Sequence, residues 1–218
     1  MPLLPYCVFL SGLQLPAIVT GVQEAPILCV EDEGLSVLYS EVAILSQDPG
    51  ELAQAAMLFQ STVQQVFGAG MVIPFRFPTL LANTEALREH LKANRGRYRT
   101  GLTRLNGMAQ MEVRLSRLSS GPAAPDTSPS TGTEYLKARQ AQAQVLASAV
   151  EALQKAAGPL VHDWRTRESG GVTRAYALIP HDRAAEFKRE IGFVRLSGGT
   201  RAVISGPWPP SEFLPEEA

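Results

Sequence analysis

The chain of 218 residues is poor in the side chains that do covalent and metal chemistry: it has two cysteines, Cys7 and Cys29, and three histidines, His90, His162 and His181. No second histidine or cysteine stands at metal-ligand spacing from any of the three, so a zinc site is not expected. No glycine-rich phosphate loop, no Gly-x-Gly-x-x-Gly after a strand and no Cys-x-x-Cys is present, which argues against nucleotide-dependent and dithiol chemistry. His162-Asp163-Trp164 reads as a surface helix feature rather than half of a catalytic triad. No apolar run approaches the roughly 20 residues of a membrane span. Met1-Pro2-Leu3-Leu4-Pro5 has no positively charged leader, so neither a secretory signal nor a membrane partner is expected and the expected location is cytoplasmic. Two cysteines in such a setting, each flanked by apolar β-formers, are expected to be buried free thiols rather than a disulfide.

Charge of one sign is missing from a whole third of the chain. Residues 1–75 contain no lysine or arginine, while Glu24, Glu31, Asp32, Glu33, Glu41, Asp48 and Glu51 give them a formal charge of −7. The counterweight lies between Arg88 and Arg117, where eight basic residues stand against Glu89 and Glu112, a net of +6. The two regions are expected to attract one another within one domain. With a net charge of −1 overall, nothing calls for nucleic acid. The Arg-rich run Asn94 to Arg99 does not change that, because Tyr98 falls in register with Leu91 and Leu102 and reads as core.

What is present is the material of an α+β protein: 45% hydrophobic and 19% charged residues over a length that suits one large or two small domains. Tyr6–Leu10 reads as a strand. Ile27–Val30 and Leu35–Val42 flank Glu31-Asp32-Glu33-Gly34, a hairpin turn. Asp48-Pro49 starts a helix with an N-cap and a proline at the first helical position, and Leu52, Ala56, Phe59, Val63, Val66 and Phe67 form its buried stripe opposite Gln54, Gln64 and Gln65. After Gly68-Ala69-Gly70 comes Met71–Phe75, a strand that Pro74 assigns to an edge or a bulge. Asn83 or Thr84 caps a second helix with Leu87, Leu91, Tyr98, Leu102 and Leu105 inward. Met108–Leu118 alternates as a half-buried strand. This order gives a first domain over 1–118, a small ferredoxin-like α+β unit.

Residues 119–132, with three prolines and almost no large apolar side chain, read as a linker or loop. The second domain, 133–218, opens with a long Ala- and Gln-rich helix to about Ala157, packed through Leu146, Val150, Leu153 and Ala157 on a small antiparallel sheet. Its thin early stripe makes self-association through the 134–157 helix a further expectation. A helix near Leu160–Arg167, a strand Thr173–Ile179, a helix Pro180–Ile191 and strands Phe193–Leu196 and Arg201–Ser205, joined through Gly198-Gly199, complete the reading.

The final segment is the most distinctive. Gly206-Pro207-Trp208-Pro209-Pro210 follows directly from a strand and cannot continue it, because each proline fixes φ and removes a donor. The stiff segment holds an indole at a defined place, as a plug over its own sheet or as a contact for a partner, and Phe213 closes it. Phe75, Arg76 and Phe77 pose the same choice, and strand alternation puts both rings on one face and Arg76 on the other.

These segments carry a resemblance. The strand ending in Gly206-Pro207-Trp208-Pro209-Pro210 with Phe213, the opening Tyr6-Cys7-Val8-Phe9-Leu10 and hairpin to Tyr39-Ser40-Glu41-Val42, and Val72-Ile73-Pro74-Phe75-Arg76-Phe77-Pro78-Thr79 together resemble the gas vesicle GvpF/GvpL family. Pro78 replaces a usual glycine, and Ser211-Glu212 replaces a usual tyrosine and small polar residue. The resemblance implies a non-enzymatic accessory protein without cofactor that binds the apolar shell protein GvpA, other Gvp accessory proteins, or both during vesicle assembly. Phe75, Arg76, Phe77, Gly206, Pro207, Trp208, Pro209, Pro210 and Phe213 are then the partner-binding candidates. The competing expectation is a small-ligand-binding protein or enzyme using a cleft between two ferredoxin-like domains.

Overall fold

A computed structural model describes residues 1–17, 20–117, 132–169, 172–196 and 199–215. It is α+β throughout and divides into two compact units: Met1–Met108 with Trp208–Ala218, and Ala109–Pro207. The linker expected at 119–132 falls outside the described residues, apart from Gly132, which opens a helix.

In the first unit β1 (Leu3–Leu10), β2 (Leu28–Asp32), β3 (Leu35–Glu41) and β4 (Ile73–Pro74) form an antiparallel sheet in the order β2-β3-β1-β4. The hairpin turns on Glu33 and Gly34, both at positive φ (45° and 81°), the geometry of the tight turns that follow the twist of paired strands. Helix α1 (Pro49–Ala69) starts where Asp48 accepts hydrogen bonds from the amides of Gly50 and Glu51. Helix α2 (Thr84–Arg104) starts on Asn83, whose side chain accepts from the amide of Ala86.

The central strands are buried at every position from Leu3 to Phe9 and from Leu35 to Ser40. A strand buried at consecutive positions has both faces covered. On one face Val8, Leu35, Val37 and Tyr39 pack with Leu87, Leu91, Tyr98 and Leu102 of α2. On the other, Tyr6 stacks on Phe59 of α1 at 5.2 Å between ring centres. A register shift between Pro5 and Cys7 makes this division available, because without the bulge Tyr6 and Val8 would share a face. The Tyr6 hydroxyl donates to Ser40 Oγ (3.2 Å) and accepts from the buried amide of Val22 (2.9 Å), which ties the loop after β1 to the sheet.

The charge asymmetry is resolved inside this unit. Arg95 of α2 pairs with Asp32 (3.0 Å) and Glu33, and Arg99 donates to the Glu33 carbonyl (2.8 Å), so the basic helix clamps the acidic hairpin turn.

In the second unit β5 (Met108–Arg117), α3 (Gly132–Ala157), β6 (Asp163–Ser169), β7 (Val172–Pro180), α4 (Ala184–Gly192) and β8 (Thr200–Trp208) follow one another. The strand order is β6-β7-β5-β8. A β-α-β-β-α-β succession with that order is the ferredoxin-like arrangement. Met108–Arg117 was expected to complete the first domain but belongs to this second sheet, so the ferredoxin-like succession belongs to Ala109–Pro207. In the first unit a hairpin follows β1 with no helix between. The core joins Leu146, Val150, Leu153 and Ala157 of α3 to Val113, Leu115, Ala177 and Phe187.

Two local expectations change. Asp163–Ser169 is a strand rather than part of a helix, since Trp164 packs into the core and Arg165 and Arg167 point the other way, a period of two. Phe193–Leu196 forms no strand: Phe193 caps α4, and Val194 and Leu196 pack on the core from a loop. Of the hairpin expected at Gly198-Gly199, residue 198 lies outside the described residues.

Both cysteines are free, but only Cys7 is buried. Cys29 sits on the edge strand β2, alternating with the inward Val30, and is exposed. Burial pushes the Cys7 thiol far above its ordinary range, with a smaller push from Cys29. Cys29 is raised by partial burial and then by Glu31, against a lowering hydrogen bond from Ser36. The thiolate is the reactive form, so a raised pKa slows reaction at any pH below it. Titration of the native protein with a thiol-specific disulfide reagent at pH 8 is expected to release one equivalent, more slowly than from a free thiol, and a second only in denaturant. Two equivalents at one rate in the native state would contradict the burial of Cys7.

Candidate functional site

The strand was expected to stop before Gly206-Pro207, but β8 runs on through Gly206, whose φ is +112°, and Pro207 to Trp208, because it lies at the sheet edge, where a missing amide donor need not break the ladder. A Cβ on Gly206 would stand 2.8 Å from the backbone oxygen of Gln110, so the residue has to be glycine for both conformation and space. The Gly206-Pro207 peptide is cis. From Trp208 onward the chain belongs to the first unit. Pro209 and Pro210 are buried, the amide of Phe213 donates to the Pro210 carbonyl (3.1 Å) in a 3-10 turn, and the Phe213 ring is 1% exposed. Leu214 packs on the core cluster that contains Ile73 and Leu102, and Arg97 Nε donates to the Pro215 carbonyl (3.0 Å).

Trp208 itself is half-buried. With Met57, Gln60, Ser61, Gln64 and Gln65 it lines an open depression of about 400 Å³ along the outer side of α1. The apolar side chains here are unusually open: Met57 is 72% exposed, and Leu58 next to it is also exposed. No charged residue occurs between Glu51 and Arg76, so from its second turn the outward side of α1 is glutamine, serine, alanine and methionine. Helix surfaces facing water ordinarily carry charge. An uncharged face with a half-buried indole beside it suits contact with an apolar, uncharged partner surface.

The other candidates divide. Phe77 packs on Phe59 of α1 (5.3 Å between ring centres), whereas Phe75 packs on His90 of α2 (5.3 Å). The two rings therefore go to opposite faces, against the alternation expected for a strand. Regular extension ends at Pro74, and the chain turns immediately, with the amide of Thr79 donating to the Arg76 carbonyl. Arg76 is exposed. The β4 strand is at the sheet edge as Pro74 implied, but it is two residues long, and the amide of Phe75 already donates to the Tyr6 carbonyl.

Of the nine candidates, then, Pro209, Pro210 and Phe213 are packing residues, Gly206 sets the exit geometry, and Trp208 and Arg76 reach the surface. Met57 and Leu58 were missed. The signal for them was available as the charge-free run from Leu52 to Phe75, but the helical stripe of Phe59, Val63 and Val66 drew attention to the opposite side. Leu146, Val150 and Leu153 of α3 pack in the core of the second unit.

Among the described residues no three His, Cys, Asp or Glu side chains converge to hold a metal, and no helix is long and apolar enough to cross a membrane.

Comparison with known proteins speaks to family and fold. The family model described as "Gas vesicle synthesis protein GvpL/GvpF" matches residues 3–215. The crystal structure of the gas vesicle protein GvpF from Anabaena sp. PCC7120 is similar with a TM-score of 0.78 and 16% identity, covering 100% of this chain and 97% of that one. That of the gas vesicle protein GvpF from Microcystis aeruginosa is similar with a TM-score of 0.75 and 15% identity, covering 97% and 98%. At these identities the structural likeness speaks to the fold. No curated protein matches the chain.

Proposed function

Because the chain belongs to the GvpL/GvpF family of gas vesicle synthesis proteins, we propose that it is a non-enzymatic accessory protein that binds the apolar shell protein GvpA during vesicle assembly. A shell subunit with a large exposed apolar surface aggregates in water unless something masks it or seeds its ordered growth. The observation that carries this reading is the charge-free outer side of α1, with Met57 72% exposed beside the half-buried Trp208.

Beside Met57 and Trp208 the geometry suits a docked helix better than an added strand. Strand addition needs a run of unpaired backbone groups, and at the edge that carries Phe75 and Phe77, β4 offers only Ile73–Pro74. A helix laid along α1 needs only an apolar face of its own and a groove, which Met57, Gln60, Gln64 and Trp208 supply.

The test is co-expression with GvpA followed by pull-down, comparing the wild-type chain with Met57→Glu and Trp208→Ala. Wild type is expected to retain GvpA. The Met57→Glu variant, which places a charge at an exposed position and leaves the core untouched, is expected to weaken retention by about tenfold or more, the scale of one buried anchor lost. Retention unchanged in both variants would move the interface elsewhere. No retention by wild type would remove GvpA as the partner.

A further inference from the structure

A second cavity of the first unit, about 390 Å³, lies where α1 and α2 both end. That volume falls within the range of about 300–1,000 Å³ usual for small-ligand sites. Leu10, Leu13 and Met71 supply apolar wall, and the buried Leu102 adds to it. Leu13 sits tightly on the helix end: a Cβ on Gly70 would stand 2.5 Å from Leu13 Cδ1, so glycine is what lets the loop after β1 close there. The polar lining side chains, Ser11, Thr103 and Asn106, are all neutral, and among the described residues no charged side chain lines the cavity.

The backbone supplies the charge that the side chains lack. Ala69 and Gly70 of one helix and Leu102 and Thr103 of the other line the cavity, so two helix C-termini meet at it. Their last carbonyls are only partly satisfied. The amide of Gly70 donates to the Val66 carbonyl (3.2 Å) and that of Leu105 to the Gly101 carbonyl (3.0 Å). The amide of Asn106 turns to the Thr103 carbonyl (3.5 Å) instead of continuing the ladder to Leu102. The carbonyls of Gly68, Ala69 and Leu102 receive no backbone amide among the described residues. Each helix C-terminus carries about half a negative elementary charge, which a basic residue in the last turn ordinarily offsets. Helix α1 has no such residue, since no lysine or arginine precedes Arg76. Helix α2 has Arg104, which is exposed and does not line the cavity.

We infer that this cavity binds an alkylammonium group, a primary amine cation on an apolar stem. An ammonium has three donors and no acceptor, which matches a ring of carbonyl, hydroxyl and amide oxygens. Its stem lies against Leu10, Leu13 and Met71. An anion would meet two negative helix ends, and a purely apolar group would leave the terminal carbonyls without donors. A lysine side chain of a partner and a free aliphatic amine share this chemistry.

The inference is independent of the surface beside Met57 and is tested on the full chain. Backbone amide shifts of the isotope-labelled protein, titrated with n-butylammonium, n-butanol and butyrate, read both affinity and place. Expected are saturable shifts at Gly70, Thr103 and Asn106 with butylammonium, affinity about tenfold lower for butanol, which has the same stem without the charge, and lower again for butyrate. Asn106→Lys puts an ammonium of the chain's own at the cavity. It is expected to weaken butylammonium binding by about tenfold or more and to raise Tm by about 1–3 °C at low salt. Ala93→Lys adds the same charge at an exposed position in the middle of α2 and is expected to change binding by less than about twofold. Acetyl-lysine methylamide and putrescine then separate the two sources: tighter binding of the first assigns the cavity to a partner's lysine, tighter binding of the second to a free amine. The proposal is overturned by absence of saturable shifts at the three amides, by butanol binding as tightly as butylammonium, by unchanged binding in Asn106→Lys, or by a fall in the Tm of that variant.

Discussion

Gly206→Ala is expected to destabilise the protein by about 3–5 kcal/mol. Two costs add at this position. A φ of +112° lies where an L side chain is strained, at about 1–3 kcal/mol. The new Cβ would also stand 2.8 Å from the Gln110 carbonyl oxygen, and that neighbour is backbone in β5, which has no rotamer to yield, so overpacking contributes about 1–3 kcal/mol more. Gly107 separates the two terms. It too has positive φ (+73°), but no atom lies within 4 Å of its hypothetical Cβ. Gly107→Ala should therefore cost about 1–2 kcal/mol, the conformational term alone. Urea unfolding followed by circular dichroism measures both. Equal midpoints for the two variants would contradict the close approach of β8 and β5 at Gly206.

The second large effect is at Phe213. Its ring is 1% exposed at the end of the C-terminal segment. Phe213→Ala should cost about 3–5 kcal/mol, the range for removing a fully buried phenylalanine with incomplete collapse around the cavity. Trp208, two prolines and a turn before Phe213, should behave differently. Because its ring is half-exposed, Trp208→Ala forfeits only part of a transfer free energy, about 1–2 kcal/mol, and the variant remains folded for binding measurements. Loss of stability in both variants to the same degree would mean that the indole is as much a structural plug as Phe213, and the surface beside Met57 would lose its anchor.

These expectations show how the candidate site was legible. Proline's fixed φ and missing donor mark an irregularity at Gly206-Pro207, but the strand runs on to Trp208, since at the edge of the sheet the missing donor costs no ladder bond. Which of Trp208, Pro209, Pro210 and Phe213 faces solvent depends on what each meets, and the sequence contains no local signal for that. Likewise Phe75 and Phe77 are two apart and would share a face in any regular strand. They separate because regular extension stops at Pro74, one residue earlier than alternation assumes. Met57 was hidden for the opposite reason. Its exposure is visible only once the buried side of α1 is known to be Phe59, Val63 and Val66, which leaves an apolar side chain pointing outward with no charge near it.

The family, the α+β class, the cap of α1 at Asp48, the turn at Glu33-Gly34 and the extent of α3 were determined by the sequence itself, because each rests on a handful of neighbouring residues: a period, a cap, a φ that glycine satisfies. Only the tertiary structure decided that Met108–Arg117 joins the second sheet, that Asp163–Ser169 is a strand, that the bulge after Pro5 lets Tyr6 and Val8 serve opposite faces, and that Arg167 stands across from Arg174. Strand partners are chosen by pairing and burial between segments far apart in the chain, and short alternating runs satisfy more than one such pairing until the whole sheet is closed.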